Sequence, residues 1–409
     1  MTTATLSAAA PVNPVPLQQD AAIIGLVGLA HGTSHFSHLL LAPLFPVFMR
    51  DFGLSFSDVG LLMSIFFVVS GSGQAMAGFV VDRIGARPVL FAAVGLFLLA
   101  ALAASQATGY GGLVLVALLA GLGNAPFHPA DFTILNQRVS APRLGHAFSV
   151  HGLTGNLGWA LAPVFLVGIT ALADWRVAYY AAALLYAGVL GLLFWQRDKL
   201  RTEVAVRHAD APKGAELAYL KLPVVWWCFA FFLLSTMTLA VVQSYAPSIL
   251  QAMHGVSMEA ATLTISAYML CGAVGMLVGG FVAAYGQSLR WSSDRVVAVT
   301  MTAGALLLLL CASGWLGAVG TMMALAATGF AVGVGGPSRD MMIKKATPKG
   351  ATGRVYGTVY SGLDVGFAIS PLVFGGFMDR GWYGLTLAGA AVVLAISVVA
   401  AVGVGRRTS

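Results

Sequence analysis

Apolar residues fill this chain in blocks of about 20, separated by short polar breaks, and each block is long enough for a helix to cross ~30 Å of hydrocarbon. Twelve such blocks are predicted, near 22–48, 56–81, 88–106, 112–137, 145–170, 175–196, 223–251, 258–285, 296–314, 316–343, 353–378 and 382–404. The one long polar stretch, Arg197 to Lys221, falls between the sixth and seventh blocks. The pattern predicts an all-α membrane protein of twelve transmembrane helices in two pseudo-symmetric six-helix bundles. Its parts are an uncharged-looking, disordered tail over 1–20, a bundle over 21–196, a linker over 197–222, a second bundle over 223–404 and a short tail over 405–409.

The two halves repeat each other. Gly145 to Pro163 reads GHAFSVHGLTGNLGWALAP and Gly353 to Pro371 reads GRVYGTVYSGLDVGFAISP, so Gly158/Gly366, Ala160/Ala368 and the closing prolines coincide at an offset of 208 residues. Pro129 then matches Pro337, and Asp131 matches Arg339. A half-length repeat of this kind is the mark of a membrane transporter whose substrate sits between two similar bundles.

Composition narrows the reading further. Residues are 58% hydrophobic and 9% charged, against roughly 25% charged in soluble domains. Only Arg50, Arg176 and Arg380 among the 22 Lys and Arg fall outside the loops and helix ends on the linker's side. The positive-inside rule therefore makes that side cytoplasmic, with both termini there, in a multi-pass protein of a bacterial inner membrane. The net charge of +7 suits anionic lipid at the inner leaflet, with no basic groove for a nucleic acid. Cys228, Cys271 and Cys311 lie inside predicted spans at scattered spacings and read as buried hydrophobes. No basic stretch of a signal peptide precedes the first span, and no phosphate-binding or other cofactor motif occurs. HExxH and GxSxG are absent, and Asp131 and Asp364 fall at different depths, so no catalytic residue is assigned and an enzyme is not expected.

Between the second and third spans stands Gly78-Phe-Val-Val-Asp82-Arg83-Ile-Gly85-Ala86-Arg87-Pro88. It resembles the signature loop of the major facilitator superfamily, G-x-x-x-D-R-x-G-[RK]-[RK], with Ala86 at a position that is basic in the pattern. Physically, Asp82 is suited to face the positive start of the eleventh helix near Gly353, while Arg83 and Arg87 hold loop carboxylates. These three are the first members of a candidate cytoplasmic gate. The second-half counterpart, Gly280 to Tyr285, lacks the aspartate. Phe127-His128-Pro129, Arg143, Gly145, Phe148 and Gly155 to Pro163, together with His35-Phe36, are similar to the fosmidomycin-resistance branch of that superfamily. That resemblance implies export of drugs in exchange for protons. His38 stands where the branch tends to carry an acid.

Ionisable groups at membrane depth are functional candidates. His31, His35 and His38 are spaced i, i+4, i+7 and share a face. They read as a substrate- or proton-facing stripe, whereas a metal site is not expected because no cysteine or carboxylate lies nearby in that helix. His128 and Asp131 share a face of the fourth span, and His151 precedes Asn156 on the fifth. Asp364, the repeat mate of Asn156, falls near the bilayer centre, where a carboxylate without a cation is suited to carrying a proton. Asp131 and Arg339, as repeat equivalents of opposite charge, are expected to pair as part of the cytoplasmic gate. The expected function is proton-coupled efflux of a small organic compound, drug-like or anionic, by a monomer working through alternating access. Proton-coupled uptake of a small organic anion, and histidine-dependent movement of a metal ion, stay open as alternatives.

Overall fold

The structure, a computed structural model, describes residues 15–54, 56–204, 215–286 and 291–408. Residues 1–14 of the expected tail and 205–214 of the expected linker lie outside the described residues. The first bundle holds α1 (Leu17–His38), α2 (Phe45–Phe52), α3 (Phe56–Ile84), α4 (Ala86–Ser105), α5 (Tyr110–Asn124), α6 (Phe127–Arg138), α7 (Leu144–Leu172) and α8 (Trp175–Trp195). The second holds α9 (Pro223–His254), α10 (Met258–Tyr285), α11 (Ser293–Ser313), α12 (Gly317–Ala346), α13 (Thr352–Asp379) and α14 (Tyr383–Thr408). No strand occurs among the described residues.

Among the described residues, eleven spans are long and apolar enough to cross a membrane, with α5 and α6 counted as one. The twelfth is α1, which is long enough at 22 residues but carries Asp20 and three histidines on its inner faces.

The predicted first helix over 22–48 is instead two pieces. Helix α1 stops at His38, Ala42–Leu44 form a 3-10 turn, and α2 starts at Phe45. Pro43 and Pro46 account for the break, because a proline disfavours helical geometry in the residue before it and lacks a donor. The buried Tyr179 hydroxyl donates to the Leu40 carbonyl at 2.8 Å, satisfying one of the freed backbone groups. Proline also divides the predicted fourth helix over 112–137: α5 ends at Asn124, and Pro126 precedes α6. Both expected tails shorten, since Leu17–Asp20 already belong to α1 and α14 runs to Thr408.

The bundles touch most closely at the end that carries the linker. A Cβ at Gly78 of α3 would collide with the backbone of Gly353 and Arg354 on α13. Near the same end, Gly145 of α7 packs on Ala283 and Ala284 of α10, and the Ser149 hydroxyl donates to the Met276 carbonyl at 2.6 Å. Small residues let membrane helices approach in this way, and van der Waals contact replaces the hydrophobic drive that lipid removes. The repeated pair Gly158/Gly366 does equivalent work in each half. Gly158 seats α7 on the Gly32 backbone of α1, and Gly366 seats α13 on the Leu233 backbone of α9.

Candidate substrate and proton site

The close crossing of α1 and α7 puts the histidines of α1 against His151, and α6 closes the third side. His31 and His151 stack face to face with ring centroids 3.5 Å apart. His151 Nε2 and Asp131 Oδ2 are hydrogen-bonded at 3.2 Å, and His31 Nδ1 lies 3.2 Å from the same oxygen. Among the described residues, Asp131 Oδ1, His31 Nδ1 and both ring nitrogens of His35 are buried with no hydrogen-bond partner, and the His35 ring lies 4.4 Å from that of His31. His128 completes the cluster, 5.4 Å from His31 between centroids.

His38 stands apart chemically. Trp159 Nε1–H donates to its Nδ1 at 3.3 Å, so its Nε2–H is the donor to Asn124 Oδ1 at 2.9 Å. Asn124 also accepts from Ser34 Oγ and donates to Ser70 Oγ, each at 2.8 Å. His38 therefore helps tie α1 to α3 and α5, and its ring still borders the outer cavity.

Asp364 is wired to the cluster from the other bundle. Gln74 Nε2 donates to Asp364 Oδ2 at 2.9 Å, while Gln74 Oε1 meets His128 Nδ1 at 2.6 Å. An amide oxygen only accepts, so in this arrangement His128 carries its proton on Nδ1. Asp364, Gln74 and His128 are all buried. Gln74 was not singled out from the sequence, although it is the one amide side chain within α3.

A central cavity of about 150 Å³ lies between the bundles and is bordered by His31, His35, His128, His151, Asn156 and, on the opposite wall, Arg339. A wider cavity of about 760 Å³ continues toward the end away from the linker and shares Asn156, Trp159 and Met269 with the first. Asn156 Nδ2 points at Met276 Sδ, 3.6 Å away.

The expected Asp131 to Arg339 pair is not formed, although the linker ends of the bundles are together. Arg339 is held by its neighbour Asp340, with Nε to Oδ1 at 2.9 Å and a second contact at 3.2 Å. Tyr360 Oη donates to Asp340 Oδ1 at 2.7 Å, and the guanidinium sits 4.6 Å over the Phe232 ring. A bidentate pair with an adjacent residue, whose buried carboxylate is fixed by a tyrosine, outcompetes a partner across the cavity that already bonds His151.

Asp82 lies away from this cluster, at the start of α13. It accepts the Gly353 N–H at 2.9 Å and Arg354 Nε at 2.7 Å. Arg87 reaches the linker, 3.8 Å from Asp198 and 3.4 Å from the Arg197 carbonyl. Arg83 sits in the last turn of α3.

Residues 27–319 match the family model described as Major Facilitator Superfamily. The fosmidomycin resistance protein of Escherichia coli K12 is 26% identical over 271 residues, which is 63% of this chain and 64% of that protein, less than two thirds of its length. A probable sulfoacetate transporter, SauU of Cupriavidus necator, is 23% identical over 384 residues, covering 88% of this chain and 87% of its own. Among solved structures, a Major Facilitator Superfamily transporter, FucP, in the outward conformation superposes with a TM-score of 0.73 at 15% identity, covering 94% of this chain and 99% of that one.

Proposed function

Because the chain belongs to the Major Facilitator Superfamily and is a transporter of small substrates, we propose that it exports a small organic anion across the bacterial inner membrane in exchange for protons. The observation that carries this reading is the arrangement around one cavity: a guanidinium on one wall, imidazoles on the other, and Asp364 joined to His128 through Gln74. Arg339 supplies a fixed positive charge for a carboxylate, phosphonate or sulfonate.

Asp364 supplies the exchangeable proton, and Gln74 reports its state to the substrate cavity. Ionised, Asp364 accepts from the Gln74 amide, which in turn presents an oxygen to His128. Protonated, Asp364 becomes a donor, the amide reverses, and an N–H faces His128 Nδ1 in place of an acceptor. His128 must then change tautomer, altering the hydrogen bonding available at the cavity. That supports coupling of proton occupancy to substrate affinity without direct contact between the two.

The positive-inside distribution assigns the linker end to the cytoplasm. On that assignment the closed end is cytoplasmic and the wider cavity faces outward. Asp82, Gly353 and Arg354, with the small-residue crossings, form the cytoplasmic gate, and Arg87 joins it to the linker. Release of this clasp and rocking of the bundles would open the cavity inward.

The test uses inside-out vesicles and radiolabelled fosmidomycin or sulfoacetate. Accumulation that requires an acidic interior and collapses with a protonophore supports exchange. Accumulation driven by an alkaline interior would assign symport instead, and no flux of either probe would remove these anions as substrates.

A further inference from the structure

The geometry points to a binding site for one divalent late transition-metal ion, such as Zn²⁺ or Co²⁺, ligated by His31, His35 and His128. The first two are one helical turn apart on α1, a spacing that lets two imidazoles of one helix face a single ion. His128 enters from α6, and one ligand atom from each of the three lies within 4.8 Å of the others. Zinc–imidazole bonds are about 2.0–2.1 Å long, so the three nitrogens must close in on the ion as it binds. Imidazole donors select late transition ions over magnesium or calcium.

Two independent features support ligation over plain packing. Both nitrogens of His35 are buried with no hydrogen-bond partner among the described residues, a rare state for a buried imidazole and one that coordination resolves. Of the other two rings, His128 has the outer partner that metal-bound histidines use and His31 has a carboxylate within reach. Gln74 Oε1 fixes the Nδ1 proton of His128, leaving its Nε2 to ligate; Asp131 Oδ2 lies 3.2 Å from His31 Nδ1 without bonding it, placed to accept that proton once the ring turns to a metal. The sequence speaks against a metal because no cysteine or carboxylate lies nearby in the first helix; the fold brings Asp131 from α6. Three imidazoles leave a fourth position for water or an anionic donor, facing the cavity that Arg339 also borders. Only the suggestion that a transported anion takes that position rests on the reading above.

Purified full-length protein in detergent, stripped with EDTA, is titrated with Co²⁺, and Mg²⁺ serves as control. One Co²⁺ per chain with the intense ligand-field absorption of a tetrahedral site is expected. His35→Ala should abolish it, and His128→Gln gives the same reading if His35→Ala fails to fold. His38→Gln, outside the ligand set, should retain the signal, and Asp131→Asn should keep it with affinity lower by ~10–100-fold. No tetrahedral signal in the wild type, or an unchanged signal in folded His35→Ala, overturns the site. Anion counterflow in EDTA-treated liposomes is measured in parallel, so that transport and metal binding fail separately.

Discussion

Gln74 of α3 and Asp364 of α13 meet across the bundle interface, amide to carboxylate at 2.9 Å, although 290 residues separate them in the chain. Replacing Gln74 by Leu strands a buried carboxylate and the Nδ1–H of His128 together. Each buried polar group left unpaired costs about 1–3 kcal/mol. The variant should therefore unfold at lower temperature in a thermal melt, and its transport should lose its dependence on the pH gradient before it loses substrate exchange. Unchanged gradient dependence in a folded variant would show that Gln74 is not the relay.

Asp82 holds the start of α13 through two backbone N–H groups and the Arg354 guanidinium. These bonds exist only while the linker ends are together, and bonds to charged groups contribute roughly 1.5–3 kcal/mol each. Asp82→Ala should move the population away from the state with the wide cavity open, by about tenfold or more. A cysteine introduced at Phe67, which borders that cavity, then reacts more slowly with an aqueous thiol reagent. Equal labelling rates with and without Asp82 would contradict the clasp.

Arg339 belongs with Asp340, 2.9 Å away, and not with Asp131. A double-mutant cycle on thermal stability should show a coupling of about 0.5–3 kcal/mol between Arg339 and Asp340. The combination of Asp131→Arg with Arg339→Asp should show no rescue in transport, each defect adding to the other. Rescue would restore the pairing expected from the repeat.

At the linker end, buried Asp20 accepts from Ser140 N, Ser140 Oγ and Arg143 Nη1 at 3.2, 2.5 and 2.7 Å. A carboxylate held by three donors stabilises the fold while it is ionised, and that contribution fades as acid protonates it, near and below the ordinary carboxylate pKa of about 4. The melting temperatures of wild type and Asp20→Asn should differ most at neutral pH and converge below about pH 4. A gap independent of pH would mean that the charge of Asp20 does not matter.

The spans, the two halves and the neighbourhood of Asp82 are legible in the sequence because hydropathy, the repeat and a loop motif each act locally or at a fixed offset. The cluster is less so. Helical spacing places His31 and His35 on one face, but which helix that face meets depends on the crossing set by Gly32 and Gly158. The break of the first helix was signalled by Pro43 and Pro46, yet the apolar run through Leu39–Leu44 masked it. The repeat misled at Asp131 and Arg339, since symmetry fixes backbone positions and says nothing of nearer partners. Asp340 is adjacent in the chain, and His31 and His151 come from other helices. A polar side chain within an apolar helix was the available signal for Gln74.

Proton coupling through Asp364 is tested most directly by reconstituting Asp364→Asn beside the wild type and measuring two quantities in the same liposomes. Counterflow of fosmidomycin or sulfoacetate without a gradient reads binding and rocking alone, whereas uphill accumulation under an imposed pH gradient also needs the proton. The structure leads to a variant that keeps counterflow and loses accumulation. Accumulation by Asp364→Asn equal to that of the wild type would contradict the assignment.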